Sequence, residues 1–124
     1  MPAAPLVFFD IAAPDLPSQA KFYSAVFGWK IGADGSFSVS VASPLPANLR
    51  VEPASQGPVI ERVAYFGVED ITATLEKVVK NGGSIVFPRF VVPGRVIIGM
   101  FKDPAGNRTG LVEMKDGKVV VPPA

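Results

Sequence analysis

The chain has 124 residues, 48% of them apolar, with twelve Lys+Arg against eleven Asp+Glu and a formal net charge of +1. That length holds one core-bearing domain, no apolar run nears the roughly 18 residues that span a bilayer, and the scattered charges form no basic stripe for nucleic acid. Zero cysteines exclude disulfides and thiol catalysis, and zero histidines exclude imidazole as base, nucleophile orienter or metal ligand within the chain.

Leu6 to Ile11 is almost continuously apolar and predicts a strand, interrupted by Asp10. Asp15 suits an N-cap, with Pro17 in the first turn where its missing N–H costs nothing. The helix it opens runs to about Phe27, with Ala20, Tyr23, Val26 and Phe27 on the core side and Gly28 as its left-handed stop. Trp29–Ile31 predicts a short strand, Gly32–Gly35 a turn, and Ser36–Ala42 a strand in which serines alternate with Phe37, Val39 and Val41. Four prolines between 43 and 58 mark loop, with a short strand around Leu49–Glu52.

The pattern then repeats with an offset of 55. A strand is predicted from about Ile60 to Val68, Asp70 caps a helix reaching about Asn81, and Gly82-Gly83 closes it. Strands follow over Ser84–Phe90, Val96–Lys102 and Arg108–Glu113, joined by turns at Val92–Arg95 and Asp103–Asn107. Lys115–Lys118 turns into a brief strand at Val119–Val121 before a loose end. A strand–helix–strand unit used twice places two half-sheets together with a cleft between them. The expected organisation is one domain over 1–124, with modules of about 5–55 and 60–114 and a tail of 115–124.

Phe9-Asp10-Ile11, Asp15, Phe22-Tyr23 and Phe27-Gly28-Trp29 in the first half, with Tyr65 to Asp70, Gly82-Gly83, Phe101 to Asn107 and Gly110 to Glu113 in the second, resemble the vicinal oxygen chelate superfamily. That superfamily groups glyoxalase I, bleomycin-resistance proteins and extradiol dioxygenases. The resemblance implies an α+β fold of two βαβββ modules forming a half-barrel cleft, completed in a homodimer. Most of these residues are also ordinary turn, cap and core residues, so they speak for the fold more than for a chemistry.

The resemblance further implies a divalent metal held in the cleft by side chains on four strands. Its positions fall on Phe8, Val63 and Gly110, with the fourth near Ser55 or Glu52. Phenyl, isopropyl and hydrogen carry no lone pair, and a cation needs at least three protein donors. The sequence therefore predicts no metal and no cofactor.

Strand alternation places Phe8, Val63, Tyr65, Ile98, Met100 and the bare position Gly110 on one lining, joined by Trp29, Phe37 and Arg50. This holds if the Asp103–Asn107 turn pairs Lys102 with Arg108; a one-residue shift would swap Ile98 and Met100 for Ile97, Gly99 and Phe101. The expected function is a metal-free protein holding a hydrophobic or aromatic small molecule, as the bleomycin-resistance branch sequesters a drug. The alternative is a metal-independent lyase or isomerase with Asp10 or Glu61 as general base, and after it a glyoxalase-type metalloenzyme. The favoured reading of Asp10 is structural: pairing with Arg50, Arg62 or Arg108, or with backbone N–H groups. No nucleic-acid or membrane partner is expected, and the default compartment is the cytoplasm.

Overall fold

A computed structural model of the chain describes residue 3 and residues 6–51 and 61–124. Its elements in order are α1 (Leu16–Phe27), β1 (Tyr65–Val68), α2 (Ile71–Lys80), β2 (Ser84–Val92), β3 (Val96–Lys102), β4 (Arg108–Lys115) and β5 (Lys118–Val119). The sheet runs β1-β4-β3-β2, with β5 paired to β4. β1 lies parallel to β4, and the other pairs are antiparallel.

Both helices begin as their capping residues require. The Asp15 carboxylate accepts from the Ser18 N–H at 3.2 Å and the Asp70 carboxylate from the Ala73 N–H at 2.9 Å. Gly28 ends α1 at φ 71°, a left-handed conformation that a residue with a Cβ adopts only at a cost. Ile71, Leu75 and Val78 form the buried stripe of α2, and Phe22, Tyr23 and Val26 that of α1. They pack on Ile97, Phe101 and Leu111, so odd-numbered residues of β3 and β4 face the helices. Gly99 belongs to that face: a Cβ there would meet Ile71 Cγ2 at 2.7 Å, so its smallness lets α2 approach the sheet.

A buried carboxylate ties the two halves together. Asp103, only 3% exposed, accepts from Gln19 Nε2 at 2.6 Å, Tyr23 Oη at 2.9 Å and Asn107 Nδ2 at 2.9 Å. Its other oxygen takes the backbone N–H groups of Ala105 and Asn107. Asn107 in turn donates to the Ala12 carbonyl at 2.8 Å. A turn that by sequence only reverses the chain thus also anchors α1, and its charge is met by donors on every side.

The second module matches its sequence pattern closely, but the first does not. No strand occurs among residues 6–51, so the expected strands at Leu6–Ile11, Trp29–Ile31 and Ser36–Ala42 are corrected to irregular or extended chain. Leu49–Val51 has no strand either, and Glu52 lies outside the described residues. The physical reason is that alternation records which side chains prefer burial but supplies no neighbour, and a strand exists only with a hydrogen-bonded partner. Leu6, Val7 and Phe8 accordingly stand 66%, 83% and 79% exposed. The Ile60–Val68 strand shortens to Tyr65–Val68, with Ile60 outside the described residues. The tail is not loose: the Gly94 N–H reaches the carbonyls of Pro122 and Pro123, docking it on the β2–β3 turn.

Candidate functional site

The sheet face away from the helices carries the residues of interest. The β3–β4 register pairs Lys102 with Arg108, Met100 with Gly110 and Ile98 with Val112, the first of the two registers that the turn leaves open. Parallel pairing sets Tyr65 beside Gly110. Ile98, Met100, Gly110, Val112 and Tyr65 therefore share one face, with Val63 on the approach to β1. On β2, Phe87 lies opposite Met100 and Phe90 opposite Ile98, with register shifts between them that bend the strand.

Two features close the middle of this floor. A Cβ at Gly110 would stand 2.7 Å from Tyr65 Cγ and closer still to Cδ2 and Cε2, so the tyrosine ring lies flush on the bare backbone. Gly67 is covered in the same way by the Met114 side chain. Glycines at these two positions let neighbouring side chains lie down and fill the space themselves.

Toward one edge the face is apolar. Phe87, Pro88, Arg89, Phe90 and Ile98 line a depression of about 400 Å³. Toward the other it is charged. Glu61 Oε2 receives Arg50 Nη2 at 2.6 Å and Arg108 Nη1 at 3.1 Å. Arg108 also directs Nη2 at the Met100 sulfur, 3.0 Å away. Glu61 and Arg108 are shielded, with side chains 16% and 24% exposed. A second depression of about 410 Å³, lined by Glu69, Glu113, Met114, Lys115, Asp116 and Val120, lies by the β4–β5 turn. There Arg89 grips Glu113 through two hydrogen bonds of 2.8 and 3.1 Å and holds that carboxyl below its ordinary range.

The structure gathers Val63, Tyr65, Ile98, Met100 and Gly110 as the alternation requires, and Arg50 and Glu61 join them through the ion pairs. It does not bring Trp29 and Phe37 to this face. Trp29 stacks on Tyr23 at 5.3 Å and on Phe37 at 4.6 Å, and meets Phe66 at 5.0 Å. Phe66 is the neighbour of Tyr65 and points the other way, so these rings belong to the helix side. Phe9 packs there too, against Phe37 and Phe66. Phe8 is turned to solvent. Asp10 is exposed, and none of the arginines weighed as its partner takes it among the described residues; Arg50 and Arg108 meet Glu61 instead.

Arg108 is the residue that the sequence reading passed over as lining. Its signal was available: it stands two positions before Gly110, on the same face. Tyr23, by contrast, belongs to the core. Burial pushes its hydroxyl well above the ordinary 10.0; the Thr109 hydrogen bond works against that rise and the Asp103 carboxylate reinforces it.

Of the four positions to which the resemblance assigns a metal, the three described ones do not fit a cation. Phe8, Val63 and Gly110 offer no donor atom, and Ser55 and Glu52 lie outside the described residues. Among the described residues no three of His, Cys, Asp and Glu converge. No described helix is long and apolar enough to cross a membrane.

Comparison with known proteins agrees with this architecture. The model of the Glyoxalase/Bleomycin resistance protein/Dioxygenase superfamily matches residues 6–111. CFP32 of Mycobacterium tuberculosis is 28% identical over 116 residues, covering 82% of this chain and 42% of that protein. The anthracycline biosynthesis protein DnrV of Streptomyces peucetius is 29% identical over 125 residues, covering 85% of this chain and 45% of its own length. The chain thus spans less than half the length of these curated relatives. Among solved structures, the hypothetical protein SA1046 from S. aureus superposes with a TM-score of 0.64 at 22% identity, covering 91% of this chain and 96% of that one. A glyoxalase/bleomycin resistance protein/dioxygenase family enzyme from Burkholderia phytofirmans gives 0.66 at 13% identity, covering 90% and 100%. At such identities the likeness is one of fold.

Proposed function

Since the chain belongs to the glyoxalase/bleomycin resistance protein/dioxygenase superfamily, we propose that it is a metal-free binding protein that holds a hydrophobic or aromatic small molecule on its open sheet face. The observation that carries this reading is the floor itself. Where a relative's ion would need donors, this chain has Val63 and a Gly110 capped by the Tyr65 ring. Beside that, Ile98, Phe87 and Phe90 shape an apolar depression of a size suited to a small aromatic body. Phe90 remains 57% exposed, and covering it with a ligand removes apolar surface from water.

Neither acid is set as a general base. Glu61 spends its Oε2 on two guanidinium groups, and Asp10 sits in solvent, so the lyase or isomerase reading gains no support from either.

A second copy of the chain belongs to this proposal. DnrV and CFP32 are more than twice as long as the part this chain matches. Two copies would supply a second open face to close the first. The sheet edges support it, since β2 presents Ile85, Val86, Phe90 and Val91 to solvent. Light scattering should then give about twice 13.1 kDa, and a monomer at that mass would reject the pairing.

The binding reading is tested with the neutral dye N-phenyl-1-naphthylamine. Saturable fluorescence enhancement and a concentration-dependent rise in melting temperature are expected. Absence of both would reject it. Elemental analysis of protein purified without chelators should find no stoichiometric metal, and one equivalent per chain would overturn the metal-free part.

A further inference from the structure

Phe87 and Phe90 stand three positions apart, so strand alternation alone would set them on opposite faces of β2. The ladder sets them on one face: Phe87 lies opposite Met100 and Phe90 opposite Ile98. Pro88 and Arg89 therefore share the place opposite Gly99, a β-bulge that makes a spacing of three act as a spacing of two. The apolar depression is built from this bulge, since Phe87, Pro88, Arg89 and Phe90 line it together with Ile98 from β3.

A competing arrangement lies one residue away. A regular β2 continuing from Phe87 would set Arg89 opposite Ile98 and Phe90 opposite Ile97, turning Phe90 to the helix side and Arg89 to the open one. β2 is the outer strand of the β1-β4-β3-β2 order, so no neighbour beyond it helps to fix the register. What separates the two arrangements is Arg89. Its Nε and Nη2 donate to the two oxygens of Glu113 at 2.8 and 3.1 Å. Glu113 is an odd-numbered residue of β4 and lies on the helix side, so this fork closes only while Arg89 points there. The bulged register allows that, and the slipped one forbids it. The pair is bidentate and the Glu113 side chain is only 17% exposed, which lifts it above an ordinary surface ion pair.

We propose that Glu113 is a positioning residue for the ligand site: through Arg89 it locks the β2 bulge and so keeps Phe87 and Phe90 together on the open face. This rests on that face being a ligand site. Glu113 does not line the depression, so its influence on an uncharged ligand passes through the register of β2.

The neutral dye N-phenyl-1-naphthylamine reads this directly. In fluorescence titrations of the full chain at low salt, Glu113→Gln should bind the dye about threefold more weakly than the wild type. Sodium chloride should close that gap, because it screens the ion pair and leaves packing alone. Deleting Pro88 shortens the Phe87–Phe90 spacing to two, so parity alone then holds both phenyl groups on the open face. Glu113→Gln in that shortened chain should change nothing. If the shortened chain does not fold, the double variant Arg89→Gln/Glu113→Gln decides, and it should bind no more weakly than Arg89→Gln alone. Wild-type affinity in Glu113→Gln, an equal loss at high salt or in the shortened chain, or additive losses in the double variant would overturn the positioning role and leave the apolar site standing. A wild-type chain that fails to take up the dye saturably would instead remove the site itself, and the role with it.

Discussion

Alanine at Gly110 should reverse its effect on stability according to what stands at position 65. Its new methyl group would enter the Tyr65 ring, 2.7 Å from Cγ and nearer to the Cδ2 edge. Carbon pairs settle at about 3.5–4.0 Å, so the ring must retreat by more than about 1 Å. Overpacking of that kind costs about 1–3 kcal/mol. Against it, alanine in a strand interior is better than glycine by about 0.5–1 kcal/mol, because less chain freedom is lost on folding. Gly110 has no positive φ to spoil that gain. The net expectation for Gly110→Ala is a loss of about 1–2 kcal/mol. In a Tyr65→Ala background the obstruction is gone and the same substitution should stabilise by about 0.5–1 kcal/mol. The coupling between the two sites is therefore about 2 kcal/mol, read from urea unfolding of the four proteins by far-ultraviolet circular dichroism. A Gly110→Ala loss of equal size in both backgrounds would refute the parallel β1–β4 register and, with it, the account of the closed floor.

Two further outcomes concern the buried clasp. Asp103→Ala should cost about 3–5 kcal/mol, since it strands donors of Gln19, Tyr23 and Asn107 in the interior, and a loss under about 1 kcal/mol in the same assay would contradict the network. Tyr23 is stabilising in its protonated form: with its folded hydroxyl held above the ordinary 10.0, that contribution is complete below about pH 10 and declines as pH rises toward the folded value. Tyr23→Phe should start from lower stability at neutral pH and fall less steeply above about pH 10, so parallel alkaline limbs would show the phenol is not buried as described.

What could be read from residue order follows what local physics determines. Asp15, Pro17 and Gly28 bound α1, and Asp70 opens α2, because caps act within one helical turn. The pairing of Lys102 with Arg108 was legible as one of two registers, since a five-residue turn still allows a one-residue shift, and the β3–β4 ladder selects it. From there Met100, Ile98 and Gly110 followed by parity, and Arg108 was available by the same step. Trp29 and Phe37 were misplaced because parity has meaning only where a ladder anchors it, and their segments have none. Asp103 looked like turn chemistry alone. Its partners Gln19 and Tyr23 lie 84 and 80 positions away, a distance at which spacing carries no information. Glu61 was read as a candidate base, whereas its partners Arg50 and Arg108 come from the two halves of the chain and meet only through the fold.

The lone tryptophan turns its position into a gauge. Trp29 stacks on both Tyr23 and Phe37, their rings nearly parallel to it at 17° and 19°, at the seam where the first half leans on the second. Its emission should thus track that seam and ignore the opposite face. A red shift at denaturant levels that leave backbone ellipticity intact would mark the N-terminal half lifting away as a unit, with the paired strands still assembled behind it.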